Sequence, residues 1–286
     1  MNSVTDYLTL LKPRVMSLVI FTAIIGMYLA PGSINPAIAI ISIFCISIGS
    51  GASGAINMWY DRDIDQLMQR TAKRPIPAGK VLASDALGLG IVLSVMSVLV
   101  LGLASNWVAA TLLAVAIAFY VFIYTMWLKR STVQNIVIGG AAGALPPTIG
   151  WACVSGDVSV NSVILFMLIF LWTPPHFWAL SIAIKDEYKN AGVPMLPVVK
   201  GIDSTLKHII IYTIIMCVFA YAPVYTGLAG NVYLIVMSLL NIWFMVEVIR
   251  LYKNPLKPQA MRTFKVSILY LFTQFLVLVV DRVVYI

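Results

Sequence analysis

The sequence predicts an all-α, polytopic membrane protein with nine transmembrane helices around a central cavity and a cytoplasmic N-terminus. Three observations predict it. Of the 286 residues, 61% are hydrophobic and only 10% are Asp, Glu, Lys or Arg, with a mean hydropathy of +0.95. An ordinary soluble domain carries about 25% charged residues, so a soluble globule and a disordered chain are both excluded. Apolar stretches approaching the roughly 20 residues that cross a bilayer recur nine times. The basic residues fall almost entirely on one side of these stretches. The chain therefore reads as one integral-membrane domain over residues 1–286.

The nine spans are 15–30, 37–56, 82–104, 108–128, 133–154, 162–184, 209–227, 232–251 and 266–280. Spans 1 and 9 are the shortest. Span 1 follows Lys12-Pro13-Arg14 and could pass for a signal peptide. No small-x-small cleavage site follows it, so it reads as an uncleaved first helix. Lys12 and Arg14 precede span 1, and Arg62, Arg70, Lys73, Arg74 and Lys80 follow span 2. Lys129 and Arg130 follow span 4, and Lys185, Lys189, Lys200 and Lys207 follow span 6. Arg250, Lys253, Lys257, Arg262 and Lys265 lie at or after the end of span 8. Of the 19 basic residues only Arg282 lies on the other side. By the positive-inside rule the basic side is cytoplasmic. The +8 net charge thus records topology, and nucleic acid is not an expected partner. Cys45, Cys153 and Cys217 sit in separate apolar stretches with no CxxC, as buried small hydrophobes.

The outer loops are short, whereas the inner loops after spans 2 and 6 are long, and long ordered loops are usually functional. The first begins Asn57-Met-Trp-Tyr-Asp61-Arg-Asp63-Ile-Asp65. Residues 57, 61 and 65 share one helical face, while Asp63 points elsewhere. Like charges at i, i+4 repel, and carboxylates at a membrane boundary are costly. A hard cation such as Mg²⁺ offsets both, and the basic run Arg70, Lys73, Arg74 beside it suits a metal-bridged diphosphate. A solvated loop pairing its own charges, or a transporter's cation site, fits the same spacing.

Span 6 carries Trp172-Thr-Pro-Pro-His-Phe-Trp178. Pro174 and Pro175 lack backbone donors and are expected to break or kink the helix. Irregular backbone at membrane depth survives where it lines a cavity. His176 there has three readings: iron ligand, proton carrier, or hydrogen-bond partner in the packing. The inner end continues Lys185-Asp186-Glu187, so spans 2 and 6 both end in acidic loops that run on to proline pairs, which hints at an internal duplication. Tyr120 and Tyr124 precede Lys129-Arg130 on span 4; Tyr124 facing the cavity and the basic pair holding phosphate is one reading, interfacial anchoring the other. Asn135, Pro146 and Pro147 suggest a further kink in span 5. Glu247 is positioned to pair with Arg250. His208 reads as part of the inner loop and has no assigned role.

On these motifs the chain resembles the protohaem IX farnesyltransferases (haem O synthases) of the UbiA-type intramembrane prenyltransferase superfamily. The resemblance runs nearly end to end. It rests on Lys12-Pro-Arg14, Asn57-x3-Asp61-x3-Asp65, Arg70-Thr-x-x-Arg74-Pro-Ile-Pro77 and Tyr124-Thr-x3-Lys129-Arg130. It continues through Asn135-Ile-Val-Ile-Gly-Gly, the Trp172–Trp178 run and Ala191-Gly-Val-Pro-Met-Leu-Pro197. The Asp motif is shared across the superfamily, while the Trp172–Trp178 run resembles the haem-prenylating branch. The resemblance implies farnesyl diphosphate and haem B as substrates, haem O and diphosphate as products, and Mg²⁺ as cofactor. Asp61 and Asp65, assisted by Asn57, are the expected metal and catalytic residues, with Asp186 and Glu187 as a second set. Relatives often carry a second DxxxD, whereas here Asn190 stands at the i+4 position. Arg70, Arg74, Lys129, Arg130 and Lys185 are expected on the diphosphate. Tyr120, Tyr124, Trp172 and Trp178 are expected to line the substrate cavity, and His176 to place haem through its iron or handle a proton. The expected setting is a bacterial inner (plasma) membrane, with the active-site mouth facing the cytoplasm. Membrane lipid surrounds the bundle, and a haem A synthase or terminal oxidase is a downstream partner by family analogy. A relative acting on an aromatic or quinone precursor, a cation-coupled transporter and a structural assembly factor are the alternatives.

Overall fold

The structure is a computed structural model that describes residues 3–284. Among the described residues, eight helices are long and apolar enough to span a membrane: Pro36–Tyr60, Ala83–Ala104, Trp107–Ser131, Asn135–Ser155, Val160–Ala183, Gly201–Tyr225, Asn231–Lys253 and Lys257–Val284. They are spans 2 to 9. Span 1 is the bent pair Val4–Leu10 and Pro13–Leu29, whose axes differ by 55°, so nine spans result when that pair is counted as one. Below, "inner" names the end of the bundle that carries the basic loops.

Spans 5 and 6 form the centre, with 72% of each apolar window buried, against 28% for spans 3 and 7. Large apolar side chains such as Phe44, Leu103, Val218 and Ile235 face outward, as a lipid-facing surface requires. Two apolar clusters hold the halves together: one joins spans 1, 5 and 6 to spans 7 to 9, the other packs spans 1 to 5. Spans 1 and 5 meet backbone to backbone. A Cβ on Gly26 would collide with the Pro147 carbonyl, and one on Gly150 with that of Ala23, so small residues let these helices close up.

The outer helix starts are capped locally. Asn35 accepts from the Ala37 N–H, Asn106 from Ala109 and Ser159 from Ser162, so spans 2, 4 and 6 each begin on an Asn or Ser cap. Span 8 begins after Gly230, which has no side chain to offer. Asp281 of span 9 substitutes, accepting from the backbone N–H groups of Gly230 and Tyr233.

Several expectations change. Pro174 and Pro175 do not break span 6, which runs as one helix over Val160–Ala183. Both prolines are buried, and packing on all sides outweighs the two backbone bonds they forgo; Thr173 adds its own bond to the Ile169 carbonyl at 2.8 Å. Span 5 does break, at Leu145, with Pro146 and Pro147 opening its second half, as proline at a first helical turn allows. Span 9 is much longer than 266–280. Span 7 starts at Gly201, so His208 belongs to a helix and not to a loop. Glu247 does pair with Arg250, and Arg262 and Gln259 also reach it.

Candidate active site

Span 2 ends at Tyr60 and is followed by a short helix, Arg62–Leu67. Span 6 is followed by another of the same length, Lys185–Asn190. Ile64 and Met68 of the first loop pack with Tyr188, Val193 and Met195 of the second and with Ile136 of span 5. The Arg70 backbone N–H donates to Glu187 Oε2 at 3.4 Å. The two acidic inner loops are therefore one mouth, roofed by an apolar cluster.

Asp61 caps span 2 and starts the short helix. Its N–H bonds the Asn57 carbonyl, and its own carbonyl accepts from Asp65, which keeps the three residues stacked as the spacing predicts. Asp61 is fully buried and Asp65 is 2% exposed. Cations from separate segments balance them. Lys129 and Arg130 of span 4 pair with Asp61, and Arg74 pairs with Asp65 at 2.7 Å. Asn57 Nδ2 also donates to Asp61 at 2.7 Å and to Thr125 at 3.2 Å. Asp61 thus has both oxygens engaged. Asp65 Oδ2 is taken by Arg74, but its Oδ1 has no bonded partner among the described residues and is not among the sealed polar atoms.

Asp63 points away, as expected, into a surface fork with Arg130, both bonds at 2.8 Å. Those bonds hold its carboxyl well down, to about 2.

In the sequence Lys12 is a topology charge and part of the family match. Its side chain enters the mouth, donating to Asn57 Oδ1 at 2.8 Å and to the Tyr120 hydroxyl at 3.4 Å. The charges of Arg74, Lys129, Asp65 and Asp61 all act on it. It has a left-handed backbone, φ 52°, the one positive φ outside glycine among the described residues. That costly conformation sits at the bend between the two helices of span 1. By occupying Asn57 Oδ1, Lys12 turns the Asn57 amide nitrogen toward Asp61. Asn57 therefore orients a carboxylate here, and its own oxygen is already in use.

Span 4 changes its winding over Phe119–Leu128, which forms a π-helix. The Lys129 N–H bonds the Tyr124 carbonyl five residues back, so the wider turn sets Lys129 in line with Tyr124. Such π segments are rare and gather at functional sites. Tyr120 and Tyr124 lie 5.3 Å apart, and Tyr124 is within electrostatic reach of Asp61, Arg70 and Arg74. Gly139 makes room for its ring: a Cβ there would strike it.

The remaining expected residues divide. The Arg70 and Asp186 side chains are exposed, while Lys185 and Glu187 are half-buried at the rim. Among the described residues no three His, Cys, Asp or Glu side chains form a preassembled metal cluster, so Asp186 and Glu187 do not close around Asp61 and Asp65 in this conformation. Trp178 faces span 7, edge-on to His208 and Tyr212, in the helix packing. Trp172 lies beside His176, with ring centroids 4.1 Å apart. Asn135 is buried beneath the mouth, with Oδ1 unpartnered.

The signature of the UbiA prenyltransferase family matches residues 19–276. Among curated relatives, the protoheme IX farnesyltransferase of Rhodopseudomonas palustris (strain BisB5) is 55% identical over 284 residues, covering 98% of this chain and 91% of its own length. That of Rhizobium meliloti (strain 1021) is 56% identical over 283 residues, covering 98% and 90%. Among solved structures, a digeranylgeranylglyceryl phosphate synthase superposes with a TM-score of 0.81 at 20% identity, over 98% of this chain and 99% of that one. A UbiA homologue from Archaeoglobus fulgidus bound to DMAPP and Mg²⁺ superposes at 0.73 and 18% identity, over 96% and 99%.

Proposed function

The chain belongs to the UbiA prenyltransferase family and, within it, to the protohaem IX farnesyltransferases, and from that premise we propose how its inner mouth carries the reaction. The enzyme transfers the farnesyl group of farnesyl diphosphate to a vinyl group of haem B. Water adds, and haem O and diphosphate leave.

The single observation that carries the site assignment is the pairing of buried Asp61 and Asp65 with Lys129, Arg130 and Arg74 at one mouth. Hard oxygen donors beside fixed cations suit a diphosphate and its counter-ion. Asp65, whose Oδ1 has no bonded partner among the described residues, would hold Mg²⁺, with Asp61 beside it. A homologue of the same fold bound to DMAPP and Mg²⁺ supports a metal-dependent prenyl diphosphate site. Bound there, Mg²⁺ would offset the charge that builds on the departing diphosphate. Lys129, Arg130 and Arg74 add charge-assisted hydrogen bonds to phosphate oxygens, with Arg70 and Lys185 at the rim. Glu187 and Asp186 are the further carboxylates at the rim of the same mouth. Lys12 keeps Asn57 turned toward Asp61.

Below the mouth, the rings of Tyr120 and Tyr124 flank the allylic carbon and stabilise developing positive charge through their faces. Apolar walls restrict water until the haem vinyl carbon has bonded to farnesyl C1. Water then captures the cation on the former vinyl group, and its proton leaves. His176, with Trp172 stacked on it, contacts the haem. The mouth faces the cytoplasm of a bacterial inner membrane, the basic loops being on that side, and a haem A synthase or terminal oxidase takes the product.

Binding of a non-hydrolysable farnesyl diphosphate analogue to the purified protein tests the assignment. Affinity is expected to rise with Mg²⁺ in the parent chain, and the Mg²⁺ dependence to vanish in Asp65→Asn. An unchanged Mg²⁺ dependence in that variant would place the metal elsewhere.

A further inference from the structure

His176 sits about two helical turns from the inner end of span 6, held on three sides. Trp172 stacks on one face at 4.1 Å and Phe264 on the other at 4.5 Å, and Phe177 meets the ring edge-on at 5.0 Å. The ring cannot turn without moving these neighbours. Its Nδ1 lies 2.6 Å from Ser267 Oγ on span 9.

The Ser267 hydroxyl has one proton and two acceptor lone pairs. That proton goes to the Phe264 carbonyl, 2.7 Å away. With the proton held there, the oxygen accepts toward His176 and Nδ1 carries the hydrogen, whereas a Ser267 proton turned to Nδ1 would give the opposite tautomer. In a neutral imidazole a hydrogen on Nδ1 leaves the lone pair on Nε2. The ring's other polar contact is the Phe264 carbonyl, which also accepts from Ser267, and no side chain among the described residues hydrogen-bonds Nε2. The Ser267 carbonyl also accepts the Trp172 indole N–H at 2.7 Å. One residue of span 9 therefore fixes two members of the Trp172–Trp178 segment.

We propose that Ser267 is a positioning residue that locks His176 as its Nδ1–H tautomer and presents Nε2 as the ligand atom for the iron of haem B. This rests on the reading of His176 as a haem-contacting residue and selects between the two roles left open for it. The arrangement follows the logic of metal-binding histidines, in which a partner on one ring nitrogen sets the basicity and aim of the other. The backbone anchor to Trp172 persists when the Ser267 side chain is changed, so the hydroxyl can be tested alone.

The chain has two histidines. His208 also places Nδ1 on a carbonyl, that of Ser204, so His208→Gln leaves one imidazole to observe. In that background, ¹⁵N NMR of histidine-labelled protein without haem is expected to show the Nδ1–H tautomer. Ser267→Ala is expected to release it toward the other tautomer, and Ser267→Thr, which keeps a hydroxyl, to retain it. An Nε2–H ring in the starting protein, or no change in Ser267→Ala, overturns the tautomer lock. Titration with ferric haem B and with metal-free protoporphyrin IX then tests the ligand. Ser267→Ala is expected to weaken haem B by about 10–100-fold, with a changed Soret band, and to leave the metal-free porphyrin unaffected. Equal effects on both porphyrins, or none on haem B, overturn the iron-ligand role. Farnesyl diphosphate analogue binding reports that each variant is folded, and haem O formation by the parent chain tests the underlying reading separately.

Discussion

Asp61→Asn separates a carboxylate needed by the substrate from one needed by the fold. Asparagine keeps the shape and removes the charge. Asp61 is fully buried, whereas Lys129 and Arg130 are 15% and 33% exposed. Stripping one partner from a buried pair costs about 3–5 kcal/mol. Arg130 keeps Asp63 and Lys129 borders the open mouth, so the lower end, about 3 kcal/mol, is expected here. Lys129→Met in the same chain removes the stranded cation and is expected to return most of that stability. Turnover follows a different rule. Losing a fixed charge that acts on transition-state charge costs about 3–4 kcal/mol, or roughly 10²–10³-fold. The double variant is therefore expected to run at least about 100-fold slower than Lys129→Met alone. Thermal unfolding in detergent reads the first quantity and haem O formation at saturating haem B the second. If the double variant turns over as fast as Lys129→Met, Asp61 is only a counter-ion and the reasoning fails.

Asp63 faces solvent in its ion pair with Arg130, so Asp63→Asn is expected to change stability by less than about 1 kcal/mol and turnover little. Its carboxyl sits below the ordinary 3.8, at about 2; the small contribution is thus present above 3.8 and fades as pH falls toward 2, which an acid titration of unfolding in parent and variant would show. Gly26→Ala drives a methyl into the Pro147 carbonyl, whereas Gly143 has open space around it. The first is expected to destabilise by about 1–3 kcal/mol and Gly143→Ala to be neutral or better, as unfolding midpoints would reveal. Asp281→Ala removes the cap that span 9 lends to span 8 and is expected to cost about 1–2 kcal/mol. Prolonged hydrogen exchange at Gly230 and Tyr233 matching the parent would argue against that role.

What the sequence revealed and what it hid follow from the range of each interaction. Asn57, Asp61 and Asp65 were legible because one helical face is a local property, and Asp63 was correctly placed off that face for the same reason. The nine spans were legible because hydropathy and charge segregation are independent signals. Lys12 was not, since a lysine at a membrane boundary is already explained by topology and nothing local shows it crossing to Asn57. The π winding of Phe119–Leu128 has no periodic signature, so the alignment of Lys129 with Tyr124 appears only in three dimensions. Pro174 and Pro175 leave span 6 unbroken because proline propensity is local, while the packing that keeps the span helical comes from distant segments. The break at Leu145 was read correctly because there the prolines open a helix. Ser267 gave no signal: a serine in an apolar span is common, and its meaning lies in His176, 91 residues away.

The central claim is that this chain prenylates haem at a Mg²⁺-supported diphosphate mouth. Purified protein in detergent, given haem B and farnesyl diphosphate, with pigments analysed by mass, tests it most directly. Haem O is expected to form with Mg²⁺ present, to be lost when the metal is chelated and to return when it is restored. Folded protein that forms no haem O with Mg²⁺, or forms it equally well under chelation, would contradict the claim.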